Sequence, residues 1–71
     1  MNYETIQMIE SYIQEQTNQK KQQIARNLVV DNNYQISKLF LYGDYNLYIQ
    51  NKNTGEIYKF SNLIDSMCNC Q

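Results

Sequence analysis

The chain has no histidine, proline or tryptophan, and only two glycines and two cysteines among its 71 residues. Without histidine it carries no side chain whose ordinary pKa suits acid–base work near neutral pH, and no nucleophile stands with a plausible base. A catalytic role is therefore not expected. Gly43 and Gly55 are isolated, which excludes a glycine-rich phosphate cradle. Cys68 and Cys70 are one residue apart, so a mutual disulfide would be strained and would close almost no loop. A Cys-x-Cys pair supplies two of the four ligands that a zinc site needs, and no histidine completes the set. Two reduced thiols on a frayed tail are expected, with no metal and no cofactor. No run of about 18 apolar residues is present, which argues against a membrane span, and no charged-then-apolar stretch resembles a secretion signal. A cytoplasmic protein is the expectation.

What is present fits one small domain, residues 1–71. Hydrophobic content of 42%, with seven Tyr and two Phe, exceeds that of disordered chains. A core of this size rarely supplies more than about 3–5 kcal/mol, so burial between two copies is a physically motivated source of further stability, and a homodimer is anticipated. Asn, Lys, Ile and Tyr are abundant, while Gly, Pro, Ala and Trp are scarce or absent. That bias points to a low-GC source. The many thermolabile amides argue against a hyperthermophile and favour a mesophilic bacterium, or a phage or plasmid within one.

The most specific local signal is Tyr45 to Phe60, YNLYIQNKNTGEIYKF, where two apolar runs flank a polar loop. Gly55 is the loop residue that adopts φ > 0 without steric cost. A four-residue loop, Lys52 to Gly55, places Asn51 opposite Glu56 and pairs Ile49 with Tyr58 and Leu47 with Phe60. Those four share the predicted inner face. Gln50 with Ile57, and Tyr48 with Lys59, fall on the other.

Upstream, Asn2 suits a helix cap, and Ile6, Ile9 and Ile13 recur at the spacing of one buried stripe, predicting a helix over 3–17. Residues 14–23 are polar but contain nothing that stops a helix. Ile24 and Leu28 return to the same side of the wheel, consistent with one long helix or a second short one. Residues 28–42 admit two readings. The preferred one makes Leu28-Val29-Val30 a strand, Asp31-Asn32-Asn33 a turn and Ile36 to Tyr42 a second strand, with a turn at Gly43-Asp44. The fold class is then α+β, an N-terminal helix packed on a three- to four-stranded antiparallel meander, with a short C-terminal helix from Asn62 to Met67. In the other reading, Lys20 to Leu28 and Tyr34 to Tyr42 are two helices, with Tyr45 to Phe60 as a wing. Ile24-Ala25, Leu28, Val30 and Ile36-Ser37-Lys38-Leu39-Phe40 resemble the helix-turn-helix family pattern of apolar anchors around a small residue. Val29 stands where that family usually has Gly, and the DNNYQ spacer is one residue longer.

The net charge is −1, yet all six basic residues lie between Lys20 and Lys59, where only Asp31, Asp44 and Glu56 oppose them. The helix-turn-helix resemblance implies DNA binding, with Lys20, Lys21 and Arg26 at phosphates, Gln35, Ser37 and Lys38 at base edges and Lys52 on the wing. The competing signal is the tyrosine series. Tyr gives large contact area with few rotamers to freeze, so Tyr42, Tyr45, Tyr48 and Lys59 are the candidate protein-binding residues. The favoured expectation is a non-enzymatic interaction protein of phage or mobile-element origin that occludes a host defence or regulatory protein. A small winged helix-turn-helix DNA-binding regulator is the second expectation.

Overall fold

A computed structural model of the protein describes residues 2–69. Its elements run α1 (Tyr3–Glu15), α2 (Gln19–Val30), β1 (Tyr34–Leu41), β2 (Asp44–Asn51), β3 (Ile57–Lys59) and α3 (Phe60–Asn69). The strands form an open antiparallel sheet in the order β1-β2-β3, which makes the domain α+β. Among the described residues no helix is long and apolar enough to cross a membrane.

Asn2 caps α1 as its type implies, its side-chain Oδ1 accepting the Thr5 N–H at 2.8 Å. The helix stops at Glu15, two residues short of expectation, and a second helix begins at Gln19. A single helix over residues 3–30 would be about 42 Å long, whereas the longest extent of the domain is 30 Å. Breaking it brings both apolar stripes to the same sheet. The break is locally specified: Asn18 Oδ1 accepts the N–H groups of Lys20 and Lys21, capping α2. The Gln22 amide in turn donates to the Ile13 and Gln16 carbonyls, at 3.2 and 2.7 Å, beside the cap bond from the Gln16 N–H to the Ile13 carbonyl that ends α1.

Residues 28–42 combine half of each sequence reading. Leu28, Val29 and Val30 are the last turn of α2, which corrects the expected strand. Leu28 there packs beside Ala25, one turn earlier, and a helical cap carries the chain into the Asp31 turn. Tyr34–Leu41 is a strand, which overturns the second helix of the winged helix-turn-helix alternative. The β-branched and aromatic content of this segment finds an eight-residue ladder with β2, and that tertiary pairing outweighs any helical periodicity.

The hairpin register is as the sequence predicted: Tyr48 opposes Lys59, Ile49 opposes Tyr58 and Gln50 opposes Ile57. The Asn51 N–H donates to the Glu56 carbonyl at 2.9 Å, and Gly55 takes φ +80°. Strand β3 ends at Lys59, and Phe60 opens α3, two residues before the expected Asn62, so the expected Leu47–Phe60 strand pair does not form and Phe60 enters the core from the helix. The core unites Ile9, Ala25, Leu28, Ile36, Leu47, Ile49, Phe60 and Ile64. Tyr12 meets Phe60 edge-on with ring centroids 5.4 Å apart. Of the predicted inner quartet, Leu47, Ile49 and Phe60 are buried, whereas Tyr58 lies on the short edge strand and is exposed. The α1 stripe is rotated from expectation: Thr5 and Ile9 are buried, and Ile6 is exposed beside Val29 and Val30 in a groove between α1 and α2. Cys68 is buried on α3 in line with Phe60 and Ile64, which corrects its placement on a frayed tail; Cys70 lies outside the described residues.

Candidate protein-binding surface

Alternation along β1 and β2 assigns Ile36, Lys38, Phe40, Tyr45, Leu47 and Ile49 to the helix side of the sheet. Gln35, Ser37, Leu39, Leu41, Asn46, Tyr48, Ile57 and Lys59 fall on the opposite face, where none is buried. Tyr48 sits at its centre, between Ser37 on β1 and Lys59 on β3.

The β1–β2 hairpin outruns the helices. At its distal end Phe40 and Tyr45 face one another, ring centroids 4.8 Å apart, and remain 58% and 55% exposed. Lys38 Nζ lies 4.6 Å from the Tyr45 ring centroid and pairs with Glu4 at 2.8 Å. That pairing holds the Glu4 carboxyl below its usual range and raises the Lys38 ammonium, chiefly through the shared hydrogen bond. Leu39 and Leu41 are exposed on the other face, so the end of the hairpin is apolar on both sides.

Its turn is Tyr42-Gly43, one residue earlier than the Gly43-Asp44 turn anticipated. Both residues have positive φ, +57° and +81°, as the two-residue turn that matches strand twist requires. Asn, Asp or Gly ordinarily fills the first position, because a β-carbon there approaches the following carbonyl. Tyr42 occupies it while 98% exposed, so its ring gives the fold nothing in return. The opposite end of the sheet contrasts in chemistry. Asn51 Oδ1 accepts the N–H groups of Asn53 and Thr54, Asp31 Oδ1 accepts that of Asn33, and the Asn33 carbonyl accepts the Lys52 N–H, a closed polar network.

Of the protein-binding candidates, Tyr42 and Tyr45 sit at the hairpin end, and Tyr48 and Lys59 side by side on the outer face. The structure adds Leu39, Phe40 and Leu41. Their signal was available: four consecutive apolar residues, LFLY, cannot all face one core when side chains alternate along a strand. The nucleic-acid candidates are dispersed. Lys20 and Lys21 open α2, Arg26 is on its exposed side and Lys52 is in the β2–β3 loop. Gln35 and Lys38 lie on opposite faces of β1, not together on a recognition helix. Lys21 is paired with Asp65 of α3 at 2.9 Å, which offsets a cation in the first turn of α2.

A groove of about 430 Å³ separates α1 from β2 and the start of α3, with Glu4, Tyr12, Lys38, Leu47, Lys59 and Phe60 among its lining. Among the described residues no three Cys, Asp or Glu side chains converge to hold a metal ion. No protein family, curated protein or solved structure gives a match to this chain.

Proposed function

We propose that this chain is a non-enzymatic binding protein that occludes the surface of a partner protein with the distal β1–β2 hairpin and the adjoining outer sheet face. The observation that carries this reading is Tyr42, a fully solvated aromatic held in a left-handed turn that disfavours it. Backbone strain without a structural return marks positions kept for contact. Around it, Leu39, Phe40, Leu41 and Tyr45 leave roughly 400 Å² of side chain uncovered on the two sides of the hairpin end, a size at which apolar patches are often functional. Tyr48 and Lys59 extend the surface toward β3, giving an aromatic centre with a polar margin.

Small size, an amide-rich composition and the lack of histidine favour an inhibitor of phage or mobile-element origin, directed at a defence or regulatory protein in the host cytoplasm. The test is a parallel capture from lysates of low-GC bacteria with the wild-type chain and Tyr42→Ser, both verified as folded by circular dichroism. A partner is expected with the wild type and strongly depleted with the variant. Equal recovery of the same proteins by both chains refutes the reading.

A further inference from the structure

We infer that the open edge of β1 pairs with the same edge of a second copy, antiparallel and with the two-fold axis at Ser37, to form a continuous six-stranded sheet. This goes beyond the binding role and does not require it.

The outward groups on β1 follow from the ladder. The Lys52 N–H bonds to the Asn33 carbonyl, so the Gln35, Ser37, Leu39 and Leu41 backbones engage β2, and those of Tyr34, Ile36, Lys38 and Phe40 point away. The Tyr34 N–H turns back to the Asp31 carbonyl. Among the described residues the Ile36, Lys38 and Phe40 N–H groups have no such partner. Edge strands are ordinarily blunted by proline, a bulge or a free charge. Here β1 has no proline and pairs without interruption over eight residues. Its only charged side chain, Lys38, is neutralised by Glu4 and held over Tyr45. The corresponding opening on β2, beyond the end of β3, is partly closed, since the Tyr45 N–H donates to Asp44 Oδ1 at 2.8 Å.

Symmetry then selects the register. With Lys38 on the axis, two ammonium groups would stand directly opposite one another, which is unfavourable. With Ile36 on the axis, Phe40 overhangs the end of the partner strand. With Ser37 on the axis, Ile36 faces Lys38 and Phe40 faces Tyr34, and the three outward N–H groups of each copy meet carbonyls of the other. Phe40 of one copy is thereby laid against the proximal end of the other, where Val29, Tyr34, Gln35, Ile36 and Lys52 line a hollow of about 200 Å³, while Tyr42 in the turn and Leu39 and Leu41 on the outer face stay free. What commits this edge to a second copy is that the strand, turned about Ser37, sets Ile36 against Lys38 and Phe40 against Tyr34 with every outward N–H opposite a carbonyl and no like charges opposed. Pairing along one eight-residue edge buries less than the roughly 600 Å² per copy of stable interfaces, so a weak, concentration-dependent dimer is expected.

Ser37 lies on the outer face, away from the core, so its replacement tests the axis without opening the interior. Sedimentation of the full chain from about 1 μM to 1 mM, the range where an interface below that size dissociates, is expected to show a monomer–dimer equilibrium. Ser37→Lys and Ser37→Glu, each alone, are expected to weaken it at least tenfold by placing like charges together. An equimolar mixture of the two is expected to restore the dimer, which a mere folding defect would not permit. Ser37→Cys is expected to form a covalent dimer under mild oxidation, with peptide mapping placing the disulfide between the two substituted positions, while Leu39→Cys does not. A wild type monomeric throughout, single charge variants that dimerise normally, or a mixture that fails to associate overturns the proposal.

Discussion

Replacing Tyr42 separates the backbone of the hairpin turn from the side chain it presents. Its φ of +57° places a β-carbon in the left-handed region, at a cost of about 1–2 kcal/mol relative to a residue suited to it. With the ring 98% exposed, almost no burial is lost on substitution. Tyr42→Asn, which tolerates this conformation, is therefore expected to stabilise the domain by about 1 kcal/mol, a rise of about 4–8 °C in Tm at this chain length. Tyr42→Gly relieves the same strain but adds freedom to the unfolded chain, so its gain is smaller. Tyr42→Ala keeps the β-carbon and is expected to match the wild type. Thermal unfolding followed by circular dichroism, at one fixed protein concentration so that self-association does not shift the midpoint, ranks the series. A fall in Tm for Tyr42→Asn, or an equal rise for Tyr42→Ala, would refute the assignment of strain to the turn. Loss of partner capture alongside the gain in Tm would show a contact residue retained against stability.

Two further outcomes follow from contacts elsewhere. Gln22→Ala removes the amide that donates to the Gln16 carbonyl and shares the Ile13 carbonyl with the Gln16 N–H, and is expected to lower stability by about 0.5–1.5 kcal/mol by urea denaturation, with Gln22→Asn too short to restore it. For the Glu4–Lys38 pair, a carboxyl depressed below 4.5 stabilises the fold above its unfolded pKa and ceases to do so as the pH falls through the lowered value. Lys38, raised above 10.5, contributes below that pH and loses its contribution as the pH rises through its folded pKa. The stability difference between wild type and Glu4→Gln should thus be constant through neutrality and vanish at acid pH, and NMR titration of Lys38→Met should return Glu4 toward 4.5. An unmoved Glu4 midpoint would show that the pair does not form in solution.

Local chemistry accounts for how much of this architecture was legible. Asn2 as a cap, Gly55 as the left-handed loop residue and the alternation in Tyr45 to Phe60 each act within a few residues, and each appears where its side chain dictates. The misassignments cluster where local preference was weak. Val29 and Val30 suit strands by propensity, yet they complete a helix because Ala25 and Leu28 must reach the same core as Ile36 and Ile49. Tyr58 alternates correctly but lies on a three-residue edge strand, where the inner side is left uncovered. Of the candidate surface, Tyr42, Tyr45, Tyr48 and Lys59 were legible as spare tyrosines and an outer pair. Leu39, Phe40 and Leu41 were legible only in part: the LFLY run shows that some apolar side chains must lie off the core, and the extent of the helical layer shows which.

The sequence by itself determined the hairpin register, the first cap, the absence of histidine chemistry and an excess of apolar strand residues over one core's needs, because these depend on residue type and periodicity alone. Tertiary structure decided that the polar segment after Glu15 separates two helices, that Leu28 to Val30 end the second of them and do not form a strand, and which aromatics stay in water. Those outcomes depend on what else competes for the same buried volume: a 28-residue helix would overrun a domain 30 Å long, and a sheet longer than the helices above it must leave one end bare.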